Sequence, residues 1–75
     1  MERYKNCNIY VDAEHVRRRA QWIYGSIKEM LVDLGYSRQR YWEIVKHPHR
    51  SKYEPCLIDL AKCLDTDVEE ITYEG

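Results

Sequence analysis

Apolar residues recur with helical spacing between residues 26 and 46, in two short runs separated by a glycine. In the first run they stand three and four positions apart, as on one buried face of a helix: Ile27, Met30, Leu31 and Leu34. The second run repeats this spacing with Tyr41, Ile44 and Val45. The pattern predicts two short amphipathic helices joined by a tight turn at Gly35-Tyr36.

Capping residues indicate where these two helices begin and end. Ser26 is followed three positions later by Glu29, which is the spacing of a capping box, and Ser37 can cap the second helix. Gly35 ends the first helix because glycine adopts the left-handed backbone conformation without a Cβ clash. The second helix then spans about residues 38–46 and opens with Arg38-Gln39-Arg40.

Another helix is predicted upstream, over residues 13–24. Asp12 precedes it as a cap, Gly25 follows it as a stop, and its apolar positions share one face: Val16, Ala20 and Ile23. Gly25 could instead lie inside one long helix that runs through both apolar stripes. The capping box at Ser26 favours two separate helices.

Two further helices are predicted after a loop at residues 47–51. Pro55 suits the first position of the fourth helix, and Tyr53 packed on Ile58 would form a hydrophobic staple across its start. A short fifth helix is predicted to begin with Asp67 as its cap.

Two segments near the ends of the chain have strand character: Ile9-Tyr10-Val11 and Ile71-Thr72-Tyr73. These segments could pair within one chain or between two subunits. We therefore expect an all-α, five-helix domain with short strands at its ends. Residues 1–12 are expected to form an N-terminal arm, extended in part, and residues 13–75 the domain.

The chain of 75 residues is long enough for one small domain. A core of this size supplies only about 3–5 kcal/mol unless something else helps, and dimerisation is a common form of help. Four apolar residues would be hard for a monomer to bury: Ile9, Trp22, Tyr24 and Tyr73. We therefore expect a homodimer.

The expected location is the cytoplasm. No apolar run approaches the roughly 20 residues that span a bilayer, and the polar first residues are unlike a signal peptide. Three cysteines without a tight pair spacing suit a reducing compartment.

The net charge of −1 conceals a strong charge asymmetry along the chain. Residues 36–53 carry five basic side chains against Glu43 alone, and His47 and His49 can add to this positive charge. Residues 54–75 carry seven acidic side chains against Lys62 alone. Such a chain can place a basic face on phosphate while its acidic end faces solvent or a partner.

Neither a metal site nor a catalytic site is expected. The spacing of His47, His49, Cys56 and Cys63 does not match known structural zinc sites, and the two cysteines lie on the apolar side of the fourth helix. The sequence contains no glycine-rich phosphate loop, nucleophile elbow or paired-carboxylate motif. We therefore expect no cofactor and no enzymatic activity.

Three segments stand in a characteristic order: Leu34-Gly35-Tyr36-Ser37-Arg38, Leu60-Ala61-Lys62-Cys63-Leu64 and Asp67-Val68-Glu69-Glu70-Ile71. Over about residues 13–72, this order resembles the Cro-like, xenobiotic-response-element type of helix-turn-helix repressor from phages and bacteria. The resemblance implies a lambda-repressor-like fold that binds operator DNA as a homodimer through its third helix. It therefore implies a sequence-specific transcriptional regulator of double-stranded DNA.

Carried over by position, the resemblance implies two groups of DNA contacts. The base-reading candidates are Arg38, Gln39 and Glu43, flanked by Arg40 and Trp42. The phosphate candidates are Ser37, Lys46, Arg50 and Lys52. Arginine pairs with guanine and glutamine with adenine in the major groove, whereas Trp42 suits a thymine methyl, a sugar or a protein interface.

The chain departs from the family's pattern in several places, among them Trp42 on the groove-facing surface and the acidic C-terminal third. Ile27 stands where many relatives have a glutamine that clamps a phosphate, Pro48 lies in a loop about one residue longer than usual, and Asp65 replaces a glycine. The alternative is a protein-interaction module on the same fold, such as a phage-type inhibitor or an antitoxin. It would contact a protein partner through Trp22, Trp42 or the acidic C-terminal region, with weak or no DNA binding.

Overall fold

The computed structural model describes residues 8–75, and residues 1–7 of the predicted N-terminal arm lie outside this range. The described chain is mostly helical, with a short two-stranded sheet. In chain order its elements are β1 (Ile9–Val11), α1 (Ala13–Ile23), α2 (Ile27–Leu34), α3 (Arg38–Lys46), α4 (Pro55–Cys63), α5 (Val68–Ile71) and β2 (Thr72–Glu74). Within residues 8–75, no helix has the length and apolar character needed to cross a membrane.

Local signals in the sequence set the bounds of the first three helices. Asp12 and Ser26 each accept a hydrogen bond, 3.2 Å long, from the backbone N–H three positions on. Ser37 caps α3 in the same way, over 3.1 Å. Gly35 ends α2 at a φ of 76°, in the left-handed region where glycine has no steric penalty. The predicted α2, turn and α3 are therefore confirmed as local elements.

The last two helices begin where predicted but lack two predicted contacts. Tyr53 is 77% exposed, so the staple across the start of α4 is wrong. Asp67 makes no side-chain cap at α5, and its carbonyl accepts from the Glu70 N–H instead. Asp65 has a φ of 53°, which lies in the left-handed region. Aspartate tolerates this region better than most residues.

The terminal strands pair with each other within the chain, antiparallel, with Tyr10 opposite Tyr73. The two rings stack with their centroids 5.6 Å apart. The opposite edge of β1 meets the loop after α3, where Ile9 and His49 exchange backbone hydrogen bonds of 3.0 and 2.7 Å. The expected five helices and short terminal strands are therefore both present, and the domain is mostly helical with a small two-stranded sheet. Residues 9–11 are an integral part of the domain.

Among residues 8–75, twelve hydrophobic residues form the buried core, and every element contributes except β2: Ile9, Val11, Val16, Ala20, Met30, Leu31, Ile44, Leu57, Leu60, Ala61, Leu64 and Ile71. The strand pairing covers Ile9, contrary to its predicted exposure. Ile23, predicted on the buried face of α1, is 40% exposed because it is the last residue of the helix. Only Ile44 of α3 is fully buried, so most of α3 faces outward.

Candidate nucleic-acid interface

α3 contacts the core through three residues and leaves the rest of its surface to solvent. Ile44 is buried, and Tyr41 and Val45 are half-buried against the core. All the remaining residues of the helix are exposed: Arg38, Gln39, Arg40, Trp42, Glu43 and Lys46. The spacing of the apolar residues thus fixes which face of α3 points outward.

Four of the five predicted base-reading residues line up along this outer face. Arg38 lies one turn from Trp42, and Gln39 lies one turn from Glu43. Trp42 is 62% exposed. Within residues 8–75, the side chains of Arg38, Gln39 and Glu43 make no hydrogen bond or ion pair. Their polar groups can therefore contact an external ligand without first breaking an internal bond.

Arg40, the fifth candidate, packs on the turn that precedes α3. Its guanidinium carbon lies 4.5 Å from the centre of the Tyr36 ring, which is a cation–π contact. The Tyr36 hydroxyl lies 3.5 Å from Asp59 Oδ2 on α4, and burial followed by the Asp59 charge raises the pKa of Tyr36. Arg40 and Tyr36 thus connect the turn to α4, a role that the sequence did not predict.

The predicted phosphate-binding residues are distributed over three parts of the structure. Ser37 is exposed at the start of α3, where its hydroxyl oxygen accepts the capping hydrogen bond. Lys46 is exposed in the last turn of α3, and Arg50 is exposed in the following loop. Lys52 lies beside α5, with its Nζ 3.5 Å from Glu69 Oε2. The carboxylate of Glu69 therefore partly compensates the positive charge of Lys52.

A groove of about 350 Å³ lies beside the outer face of α3, between α1, α2 and α3. Apolar and aromatic side chains form much of its lining: Ile27, Leu31, Tyr41, Trp42 and Val45. Three basic residues also line it: Arg17, Lys28 and Arg38. Ile27 thus contributes apolar surface to the groove that Trp42 also lines. Glu14 completes one side, and its hydrogen bond from Arg17 lowers the pKa of its carboxyl.

His49 does not join the basic surface, because its side chain is buried beneath the C-terminal end of α3. Nε2 lies 2.7 Å from the Ile44 carbonyl oxygen, and Nδ1 lies 2.9 Å from Glu54 Oε1. The histidine therefore connects α3, the loop after it and the start of α4. Its spacing of five residues to both Ile44 and Glu54 forms no distinctive motif, so the sequence does not predict this contact.

Comparison of the chain with protein-family models, with curated proteins and with solved structures found no match. We therefore infer function from the surroundings of α3 and from the motif resemblance of the sequence.

Proposed function

We propose that this protein is a sequence-specific regulator of transcription that binds double-stranded DNA, with a lambda-repressor-like helix-turn-helix formed by α2 and α3. The resemblance of the sequence to helix-turn-helix repressors favours repression over activation. The observation that carries the proposal is the exposed outer face of α3, whose polar side chains Arg38, Gln39 and Glu43 have no internal partner within residues 8–75. An α-helix of this kind fits the major groove of B-DNA.

The proposed roles follow the chemistry of each side chain. Arg38 would donate two hydrogen bonds to a guanine, Gln39 would pair with an adenine, and Glu43 would accept from a cytosine amino group. Lys46 and Arg50, beyond these residues along the chain, would neutralise phosphates and fix the register of the helix. Trp42, which lines the groove between α1, α2 and α3, would contact a sugar or a thymine methyl of the DNA. A cytoplasmic location and a lack of enzymatic activity belong to the same proposal.

A protein-interaction module on the same architecture is the second candidate, and Trp22 is the observation that favours it. This side chain is 84% exposed on α1, and tryptophan is enriched at the centres of protein interfaces. A module of this kind would bind duplex DNA weakly at any ionic strength, whereas a DNA regulator would lose affinity steeply as salt rises.

Selection of bound sequences from random duplex DNA tests the proposal, followed by anisotropy titrations of the selected duplex over a range of salt concentrations. We expect one enriched motif and a slope of log affinity against log salt of about −0.9 for each phosphate neutralised. Lys62→Ala, which removes an exposed charge from α4, is the matched control and should leave the enriched motif unchanged. No enriched motif together with no duplex binding at low salt would favour the protein-interaction module.

A further inference from the structure

Three side chains of metal-binding type meet beneath the C-terminal end of α3. His49 comes from the loop after α3, Glu54 immediately precedes α4, and Cys56 lies in the first turn of α4. One ligand atom from each residue can be chosen so that all three atoms lie within 4.8 Å of one another. The proposed DNA contacts use none of the three.

The hydrogen bonds of His49 show why a cation suits this place. Nε2 faces the Ile44 carbonyl oxygen at 2.7 Å, and since a carbonyl only accepts, Nε2 carries a hydrogen. In a neutral imidazole Nδ1 then has a lone pair, yet it lies 2.9 Å from a carboxylate oxygen of Glu54. The lone pair of Nδ1 and this carboxylate oxygen are thus two neighbouring atoms that a single cation can bind.

Backbone groups around this cluster hydrogen-bond to two of its members, as is common around metal ligands. The Ile44 carbonyl fixes the ring of His49 with Nδ1 directed at Glu54. The other carboxylate oxygen of Glu54, Oε2, accepts from the Arg50 backbone N–H at 3.2 Å. Metal-binding histidines and carboxylates are commonly oriented by such second hydrogen bonds, to a backbone carbonyl and from a backbone amide. Two of the three candidate ligands are therefore already oriented.

The donor set is that of zinc. Thiolate, imidazole and carboxylate together favour Zn²⁺ over Mg²⁺ or Ca²⁺, which prefer oxygen ligands alone. Zinc bond lengths place tetrahedral ligand atoms about 3.4–3.6 Å apart, and the three candidate ligand atoms lie within 4.8 Å of one another. The Glu54 side chain is 34% exposed, which leaves room for a water molecule as fourth ligand.

We propose that His49, Glu54 and Cys56 bind one Zn²⁺ ion, which braces the loop after α3 against α4. Sequence spacing argues against a zinc site formed by His47, His49, Cys56 and Cys63. The present set keeps His49 and Cys56 from those four and adds Glu54. Cys63 lies farther along α4, where its thiol donates to the Leu60 carbonyl over 3.1 Å. Since the loop carries Arg50 and follows Lys46, the ion would stabilise the part of the chain proposed to hold phosphates.

Cobalt and zinc titrations of the full chain, after treatment with a chelator, test this site without DNA. The variants are Cys56→Ser and two matched controls, Cys63→Ser on the same helix and Cys7→Ser outside the described residues. We expect thiolate-to-cobalt charge-transfer absorption in the wild type and both controls, displaced by one equivalent of Zn²⁺. Cys56→Ser should lack this absorption and bind zinc at least about 100-fold more weakly, because loss of even an outer partner costs about 10–100-fold.

Thermal unfolding supplies an independent readout. Zinc should raise the melting temperature of the wild type and of Cys63→Ser but not of Cys56→Ser, and a chelator should reverse the effect. If Cys56→Ser does not fold without metal, as judged by circular dichroism, Glu54→Gln carries the same expectations for zinc affinity and thermal shift. A wild type without cobalt absorption, or a Cys56→Ser variant that binds zinc as tightly as the wild type, would overturn the proposal. Either result would leave the proposed DNA binding untouched.

Discussion

Two neighbouring arginines at the start of α3 have different surroundings, although the sequence places both in a basic segment. Arg38 lines the groove together with Trp42. Arg40 lies over the Tyr36 ring, and an exposed cation–π contact of this kind contributes about 0.5–1 kcal/mol. Arg40 would have to break that contact before it could reach a base. We therefore propose Arg38 as the base reader and Arg40 chiefly as a stabiliser of the turn.

Substitution of Arg38 by alanine should reduce specific affinity by about 1–3 kcal/mol and relax the preference at one base pair, because a bidentate contact to guanine is lost. Anisotropy titrations against the selected duplex and its single-base variants measure both effects. Arg40→Ala is the matched control. It should lower the melting temperature and leave the base preference nearly unchanged. Equal losses on selected and random DNA for Arg38→Ala would contradict base reading by this residue.

Removal of the Lys46 charge should act differently from the loss of Arg38. Lys46→Ala is expected to weaken binding to all sequences similarly and to reduce the magnitude of the salt slope by about one, because one phosphate contact releases one counterion. The slope of log affinity against log salt measures this change, with Lys62→Ala as the control. An unchanged slope would show that Lys46 does not contact phosphate.

At the scale of the elements, the sequence predicted best what depends on neighbours along the chain. The caps Ser26 and Ser37 and the stop at Gly35 act within one helical turn, so they define α2 and α3 without tertiary information. The burial of His49 and the covering of Ile9 depend on contacts between residues 40 positions apart. Local patterns do not encode such pairs. The His49–Glu54–Cys56 cluster has members at most seven positions apart and was missed for another reason, because its spacing matches no known metal-binding motif.

The turn between α2 and α3 depends on the positive φ of Gly35. A Cβ built at this position would meet no heavy atom within 4 Å, so the main expected source of destabilisation is backbone strain at the positive φ. A left-handed residue other than glycine costs about 1–2 kcal/mol, and a β-branched residue costs more. Gly35→Val should therefore lower the melting temperature by about 4–8 °C for each kcal/mol lost.

Gly35→Asn is the matched control for that substitution, because asparagine tolerates the left-handed region better than valine. Thermal unfolding followed by circular dichroism compares the two variants. If both variants unfold at the wild-type temperature, the strain at Gly35 does not limit stability and the turn is not the determinant of the α3 position.

α1 is connected to the end of α4 by a single arginine. Arg19 Nη2 donates to the carbonyl oxygens of Leu64 and Asp65, at 2.9 and 2.8 Å. Arg19→Met keeps most of the apolar stem but removes both bonds, so we expect the free energy of unfolding to fall by about 1–3 kcal/mol. Arg18→Met, on the same helix with a side chain 74% exposed, is the control and should have little effect. Denaturant unfolding with equal losses for both variants would contradict this role of Arg19.

At the scale of the whole molecule, two of the four apolar residues that motivated the dimer prediction are not exposed. Ile9 is buried, and Tyr24 is half-buried with its hydroxyl donating to Asp33 Oδ2 over 2.6 Å. Trp22 remains 84% exposed and Tyr73 54% exposed. A self-association surface is therefore best sought around Trp22 on α1 and Tyr73 on β2.

We propose a homodimer as the DNA-binding form, because one small domain makes few base contacts on its own. Two-fold symmetry would place two copies of α3 in successive major grooves, so the selected sequence should be a near-palindrome with half-sites about 10 base pairs apart. Sedimentation at micromolar concentration, with and without DNA of that length, measures the oligomeric state. Trp22→Ala should weaken self-association, whereas Trp42→Ala, the matched control, should weaken DNA binding alone. A chain that stays monomeric with and without DNA would contradict the dimer and favour the protein-interaction module, for which Trp22 would be the first residue to test against a partner.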